Sequence, residues 1–146
     1  MLERFAMINI TKETSVSIND ILPLYQAVGW TNYTNQPQML EQYFAHSLAI
    51  YFARDGEEIV GLVRLVGDGF SSVFIQDLIV LPSYQRQGIG STLMKEALGD
   101  YKDAYQVQLV TDQTDKNLGF YRSLGFETLS TYDCTGMIWV DRKNLQ

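Results

Sequence analysis

Pro82-Ser83-Tyr84-Gln85-Arg86-Gln87-Gly88-Ile89-Gly90-Ser91-Thr92-Leu93 is a polar, glycine-bearing turn that follows a hydrophobic run and opens an amphipathic one. Gly88 and Gly90 carry no Cβ, so the backbone there can come close to a ligand. The first turn of the helix that follows offers amide N–H groups without carbonyl partners, together with the positive end of the helix dipole. The stretch therefore reads as a cradle for an anion, and for a phosphate in particular.

Working outward from it, residues 73–81 form a strand that runs directly into Pro82. Ile89, Leu93, Met94, Ala97 and Leu98 recur at helical spacing up to Gly99. Upstream, residues 48–54 and 59–66 are rich in Val, Ile, Leu, Tyr and Phe and flank Asp55-Gly56-Glu57-Glu58, which predicts a hairpin. Gly67-Asp68-Gly69 makes the next turn. Near the start, residues 5–11 read as a strand and residues 17–28 as a helix capped by Ser17, with Ile18, Ile21, Leu22 and Tyr25 on one face. Gly29 ends that helix, and Pro37 opens another through His46, with Met39, Leu40, Tyr43 and Phe44 as its apolar side.

Downstream, residues 106–111 form a short strand. Residues 116–124 form a helix closed by Gly125, with Phe126 placed to pack back onto it. Residues 126–130 and 137–140 are expected to close the sheet. The order of elements is α+β, and no repeat, linker or low-complexity tract divides the chain, so residues 1–146 are expected to form one domain.

Two blocks carry a resemblance. Gln85, Gly88 and Gly90 fit Gln/Arg-x-x-Gly-x-Gly/Ala, and after an intervening strand comes Asn117-Leu118-Gly119-Phe120-Tyr121-Arg122-Ser123-Leu124-Gly125-Phe126. The joined pattern, at this spacing, resembles the GNAT superfamily of acyl-CoA-dependent N-acyltransferases, over residues 50–130 well and over the first forty-five in outline. The resemblance implies a twisted, mostly antiparallel sheet flanked by about four helices. In it, the strand ending at Pro82 and the strand after it run parallel and splay apart to admit a pantetheine arm.

What the resemblance implies about chemistry follows residue by residue. Acetyl-CoA is the implied co-substrate, and its pyrophosphate would take backbone amides from Arg86, Gln87, Gly88, Ile89, Gly90 and Ser91. Side-chain donors would come from Gln85, Arg86, Ser91 and Thr92. The splayed backbone of Leu78, Ile79 and Val80 would pair with pantetheine amides as a further strand would, and one of those N–H groups could face the thioester oxygen. Tyr121 is implied as the acid that protonates the departing thiolate. A phenol of pKa about 10 stays protonated at neutral pH, whereas a thiol titrates near 8.5. It also reads as a core aromatic at helical spacing with Leu118 and Leu124. Asn117 reads either as a pantetheine contact or as an N-cap.

An amine nucleophile must lose a proton, and Asp77, on the central strand before the splay, is the candidate base, directly or through water; its other reading is a structural hydrogen-bond acceptor. Trp30 and Tyr33 lie in a loop that borders the acceptor pocket in similar proteins, where aromatics hold amines by stacking or cation–π contact. Trp30 equally reads as a cap on the core. His46, the lone histidine, stands at a helix end as a capping or surface residue, without partners for a metal site.

Bulk properties narrow the classes. The chain has 146 residues, 46% of them hydrophobic and 19% charged, and one cysteine, Cys134. It therefore reads as a cytoplasmic protein without a disulfide, a membrane span or a secretory leader. A net charge of −6 with no Lys/Arg cluster argues against nucleic acid as a partner. Dimers are common among similar proteins, although no interface signal is visible. A Walker loop is excluded because Gly90 is followed by Ser91 with no lysine. A dinucleotide fingerprint fails at Leu93, where a small residue is needed, although Asp112 stands near the position of a ribose-binding acid. The remaining alternative to an enzyme that moves acetyl from acetyl-CoA to a primary amine in a ternary complex is an acyl-CoA-binding module without catalysis.

Overall fold

The hairpin turn at Asp55 and Gly56 lies at the middle of a five-stranded sheet, in a computed structural model that describes residues 7–141. Its strands β1 (Ile8–Lys12), β2 (Ala49–Asp55), β3 (Glu58–Gly67), β4 (Ser72–Val80) and β5 (Gln106–Leu109) lie side by side in chain order. The first four pair antiparallel, and β5 joins β4 in parallel. Phe5 and Ala6, the start of the expected first strand, fall outside the described residues.

Helices α1 (Ile18–Ala27), α2 (Thr31–Thr34) and α3 (Pro37–Ala45) connect β1 to β2, and α4 (Ile89–Asp100) connects β4 to β5. The Ser17 hydroxyl accepts from the Asn19 amide at 3.3 Å and caps α1. At its other end Gly29 takes φ +74°, a left-handed conformation that glycine adopts without steric cost. Gly29 N–H then donates to Gln26 O and Trp30 N–H to Tyr25 O, both at 3.1 Å. That Schellman closure brings the Trp30 ring to 5.8 Å from the Tyr25 ring. In α3, Leu40 and Phe44 turn inward while Met39 and Tyr43 stay exposed, so its apolar side is narrower than expected. His46 stands at the C-cap with Nδ1 2.9 Å from Gln42 O.

One face of the sheet carries Ile50, Phe52, Leu62 and Ile79 against Ile21, Leu24 and Tyr25 of α1 and Leu40 and Phe44 of α3. On the other face, α4 buries Leu93, Met94 and Ala97. Gly61 makes the close approach possible there, since a Cβ on it would lie 3.0 Å from Ile79 O and 3.3 Å from Leu93 Cδ1. No helix among the described residues is long and apolar enough to cross a membrane.

The chain divides into two compact units, the first reaching Val110 and the second starting at Thr111. The second holds α5 (Asp115–Ser123), capped by Thr114, whose hydroxyl accepts from Asn117 N–H at 3.1 Å. Its end repeats the closure of α1: Gly125 N–H donates to Arg122 O, Phe126 N–H donates to Tyr121 O, and the Tyr121 and Phe126 rings lie 6.0 Å apart.

The strands expected at 126–130 and 137–140 are absent. Residues Leu129–Tyr132 instead form a 3-10 turn, in which Thr128 Oγ1 bonds the hydroxyls of Ser130 and Thr131. Residues 137–140 take no regular structure. Local side-chain bonding competes with a ladder in the first case. In the second, strand-like composition does not by itself supply a ladder to pair with.

Candidate functional site

A bulge in β4 sets the geometry. Arg64 of β3 stands opposite Asp77 and Leu65 stands opposite Ile75, so Gln76 is the extra residue. Arg64 and Asp77 face the helices and form an ion pair with Nε 2.7 Å from Oδ2, the two residues being 4% and 3% exposed. Oδ2 also accepts from Tyr25 Oη at 2.8 Å, and Oδ1 accepts from Tyr33 Oη at 3.1 Å. Arg64 Nη1 donates to Ser47 Oγ at 3.2 Å and to Tyr43 O at 3.4 Å. The guanidinium also packs 5.6 Å from the Phe44 ring and 5.9 Å from the Tyr43 ring.

Burial first, and then the Asp77 carboxylate, push the Tyr25 and Tyr33 phenols above their ordinary values, so both remain hydrogen-bond donors at neutral pH. Burial opposes the charge on Arg64, but Asp77 outweighs it and the guanidinium ends above its ordinary value.

Beside this network opens a cavity of about 440 Å³, lined by Asn32, Tyr33, Tyr43, Arg64, Val66 and Gln76. Tyr33 is the sequence-predicted residue that lines it. Trp30 does not line it, but stacks behind Tyr33 with ring centres 6.1 Å apart. Asp77 is also off the lining, with both oxygens engaged inside the protein. Those bonds are the ones that the structural-acceptor reading describes. Sequence reasoning missed Arg64, Tyr25, Tyr43, Asn32 and Gln76. Arg64 had a signal, being the one charged residue in the apolar run of residues 59–66.

Gln76 is also where β4 loses its parallel neighbour, because β5 pairs with β4 only from Ser72 to Ile75. Leu81 N–H donates to Val60 O on β3, and Ile79 O lies on the side of Gly61. By strand alternation, Leu78 and Val80 turn their backbone groups away from β3, toward the edge that β5 leaves open. Ile79, expected to share that edge, faces β3 instead. Val80 O accepts from Gln85 Nε2 at 3.0 Å, so Gln85 buttresses the strand end with one of its two amide N–H groups.

Beyond the turn Pro82–Tyr84, Arg86 and Gly88 take positive φ of 63° and 81°, and Gly88 is the N-cap of α4. Nothing lies within 4 Å of where a Cβ on Gly88 would stand, so the space over the helix N-terminus is open. Gly90, Ser91 and Thr92 follow in the first turn, where Thr92 Oγ1 donates to Gly88 O at 2.8 Å. Among the described residues, Gln87 Oε1 is buried without a hydrogen-bond partner. Open amides at a helix N-terminus and an open strand edge suit a ligand that is anionic at one end and carries amides along its length.

In the second unit, Asn117 lies inside α5 and is not its cap. Its Nδ2 donates to Thr111 Oγ1 at 3.1 Å. Tyr121 is half-buried between the rings of Phe120, at 5.0 Å, and Phe126. Burial raises its phenol above the ordinary value.

This arrangement agrees with the similarity of the chain to known proteins. Residues 16–140 match the acetyltransferase (GNAT) domain family, across both units, and the chain belongs to that family. A GNAT-family acetyltransferase from Streptococcus pneumoniae TIGR4 is 70% identical, with a TM-score of 0.86 over 93% of this chain and 99% of that one. An N-acetyltransferase from Thermoplasma acidophilum, solved in complex with coenzyme A, shares the fold at 19% identity, with a TM-score of 0.63 over 82% of this chain and 90% of that one. An uncharacterised N-acetyltransferase of Gracilaria tenuistipitata var. liui is 27% identical over 85% of this chain and 69% of its own length. The chain spans only 34% of the length of a GCN5-related chloroplast N-acetyltransferase of Arabidopsis thaliana, to which it is 34% identical over 46% of its residues.

Proposed function

We propose that this GNAT protein transfers an acetyl group from acetyl-CoA to a primary amine by direct attack, with both substrates bound together. The observation that carries the reading is the continuity at Gln76. The cavity meets the point where β4 sheds β5, and the open edge of β4 leads from there to the Gly88 cradle. The coenzyme A in the Thermoplasma relative supports the choice of co-substrate.

In this reading the amides of Arg86 to Ser91 hold the pyrophosphate, and Leu78 and Val80 align the pantetheine arm. Placing the amine and the acetyl carbon at Gln76 makes the attack effectively intramolecular, which accounts for a large part of the barrier reduction. The amine nitrogen bonds the acetyl carbon, the carbon–sulfur bond breaks, and CoA leaves as the thiol. By the family resemblance, Tyr121 is the acid that gives the departing thiolate its proton, and it regains one from solvent. Asp77 holds Arg64, Tyr25 and Tyr33 in place, and water in the cavity takes the proton that the amine loses.

The test is amine-dependent release of CoA thiol by purified protein, with the acetylated amine identified by mass spectrometry. Release that saturates in both substrates supports the enzyme. Tight acetyl-CoA binding with no turnover across cationic and neutral amines would make the chain a binding module instead.

A further inference from the structure

We infer that the cavity at Gln76 takes a primary amine that also bears a carboxylate, and that Arg64 is the specificity-determining residue that recognises it. The inference rests on the acyl-transfer reading and names its acceptor class. Among the described residues, Arg64 is the only charged one on the lining; Asn32, Tyr33, Tyr43, Val66 and Gln76 are neutral. Asp77, its partner carboxylate, is withdrawn behind the wall with Oδ1 and Oδ2 both accepting hydrogen bonds. A polyamine or amino sugar would therefore bring several cations to a guanidinium, with no lining carboxylate to receive them.

A guanidinium has five N–H donors. Among the described residues, the bonds of Arg64 use Nε toward Asp77 and Nη1 toward Ser47 and Tyr43, and none of them uses Nη2. The Asp77 pair and the Phe44 and Tyr43 rings fix the plane of the group, so the unused nitrogen meets a ligand oxygen with little ordering left to do. Asn32 and Gln76 bring side-chain amides to the lining, while Tyr33 and Tyr43 wall the space with ring centres 5.9 Å apart, edge to face. The overall charge of −6 opposes an anion at long range, but salt screens that field beyond about 8 Å, and inside the cavity a carboxylate meets guanidinium N–H donors while the paired Asp77 stays off the lining.

The test compares four acceptors of one carbon skeleton: the amino acid, its methyl ester, its carboxamide and the matching diamine. The amino acid is expected to show a kcat/KM about ten- to a hundredfold above the other three, the range of a charge-assisted hydrogen bond. Equal or better use of the ester or the diamine by protein that binds acetyl-CoA overturns the inference and leaves acyl transfer standing. Failure of wild type to bind acetyl-CoA overturns the reading beneath it.

A second measurement does not depend on turnover. Calorimetry should detect the amino acid binding to wild type and not to a folded Arg64→Met/Asp77→Asn double variant, in which neither charge is left buried alone. Acetyl-CoA affinity should be the same in both proteins. Unchanged amino-acid binding in the double variant overturns the assignment to Arg64.

Discussion

Asp77 accepts a proton-bearing partner at each oxygen: Arg64 and Tyr25 at one, Tyr33 at the other. A carboxylate so placed is a structural centre, and its removal strands a buried guanidinium. Asp77→Ala is expected to lower unfolding stability by about 3–5 kcal/mol in denaturant titrations, the usual penalty for breaking one side of a buried pair; a loss below about 1 kcal/mol would contradict that role. The sequence showed that Asp77 was special but could not show why, because its partners stand 13, 44 and 52 residues away in the chain.

Tyr121 differs, since its motif was legible and its burial keeps the phenol protonated. Tyr121→Phe should reduce turnover about a hundredfold or more while leaving acetyl-CoA affinity unchanged. Equal rates in the two proteins across pH would remove it from the mechanism.

A third residue-scale expectation concerns Glu13, which takes a forked pair of bonds from Arg54 Nε and Nη2 at 3.0 and 2.8 Å. Those bonds hold its carboxyl below the ordinary value of 4.5. With the folded value depressed, the stabilisation is present above pH 4.5 and lost as pH falls through the folded value. Glu13→Gln should flatten this part of the acid limb of a stability-versus-pH curve, and an identical limb in the variant would contradict it.

At the scale of elements, the decisive joint is the one between β4 and α4. Gly88 at φ +81° lets the chain turn from strand to helix with its amides exposed. Space does not forbid a side chain there, but backbone conformation does: Gly88→Ala should cost about 1–2 kcal/mol in stability, the left-handed penalty, without any clash. A neutral substitution in thermal melts would count against that strain.

Helices announced by caps and periodicity were legible in the sequence, and α1 forms despite Pro23 within it because Ile21, Leu24 and Tyr25 bury against the sheet. The hairpin at Gly56 and the strand leading to Pro82 were legible for the same local reasons. The short α2 was not, since Thr31–Thr34 has no buried residue and no side-chain cap to mark it. Residues 137–140 misled because Ile, Trp and Val favour a pleated neighbour that composition alone does not supply. The bulge at Gln76 was also hidden, being a property of register between two strands and not of either one.

For the whole molecule, the first unit brings a cavity of about 440 Å³ and an open strand edge to one residue, and carries a glycine-capped helix beyond that edge. Membership in the GNAT family makes acetyl transfer the general activity; few of the residues that line the cavity could be found from sequence. The claim on which the rest depends is that the Gly88 cradle grips acetyl-CoA. Isothermal titration of acetyl-CoA into folded wild type and Gly88→Glu protein tests it directly. Saturable binding to wild type is expected, and none to the variant, which puts bulk and negative charge over the helix N-terminus. Equal binding by both proteins, or none by wild type, would contradict the account.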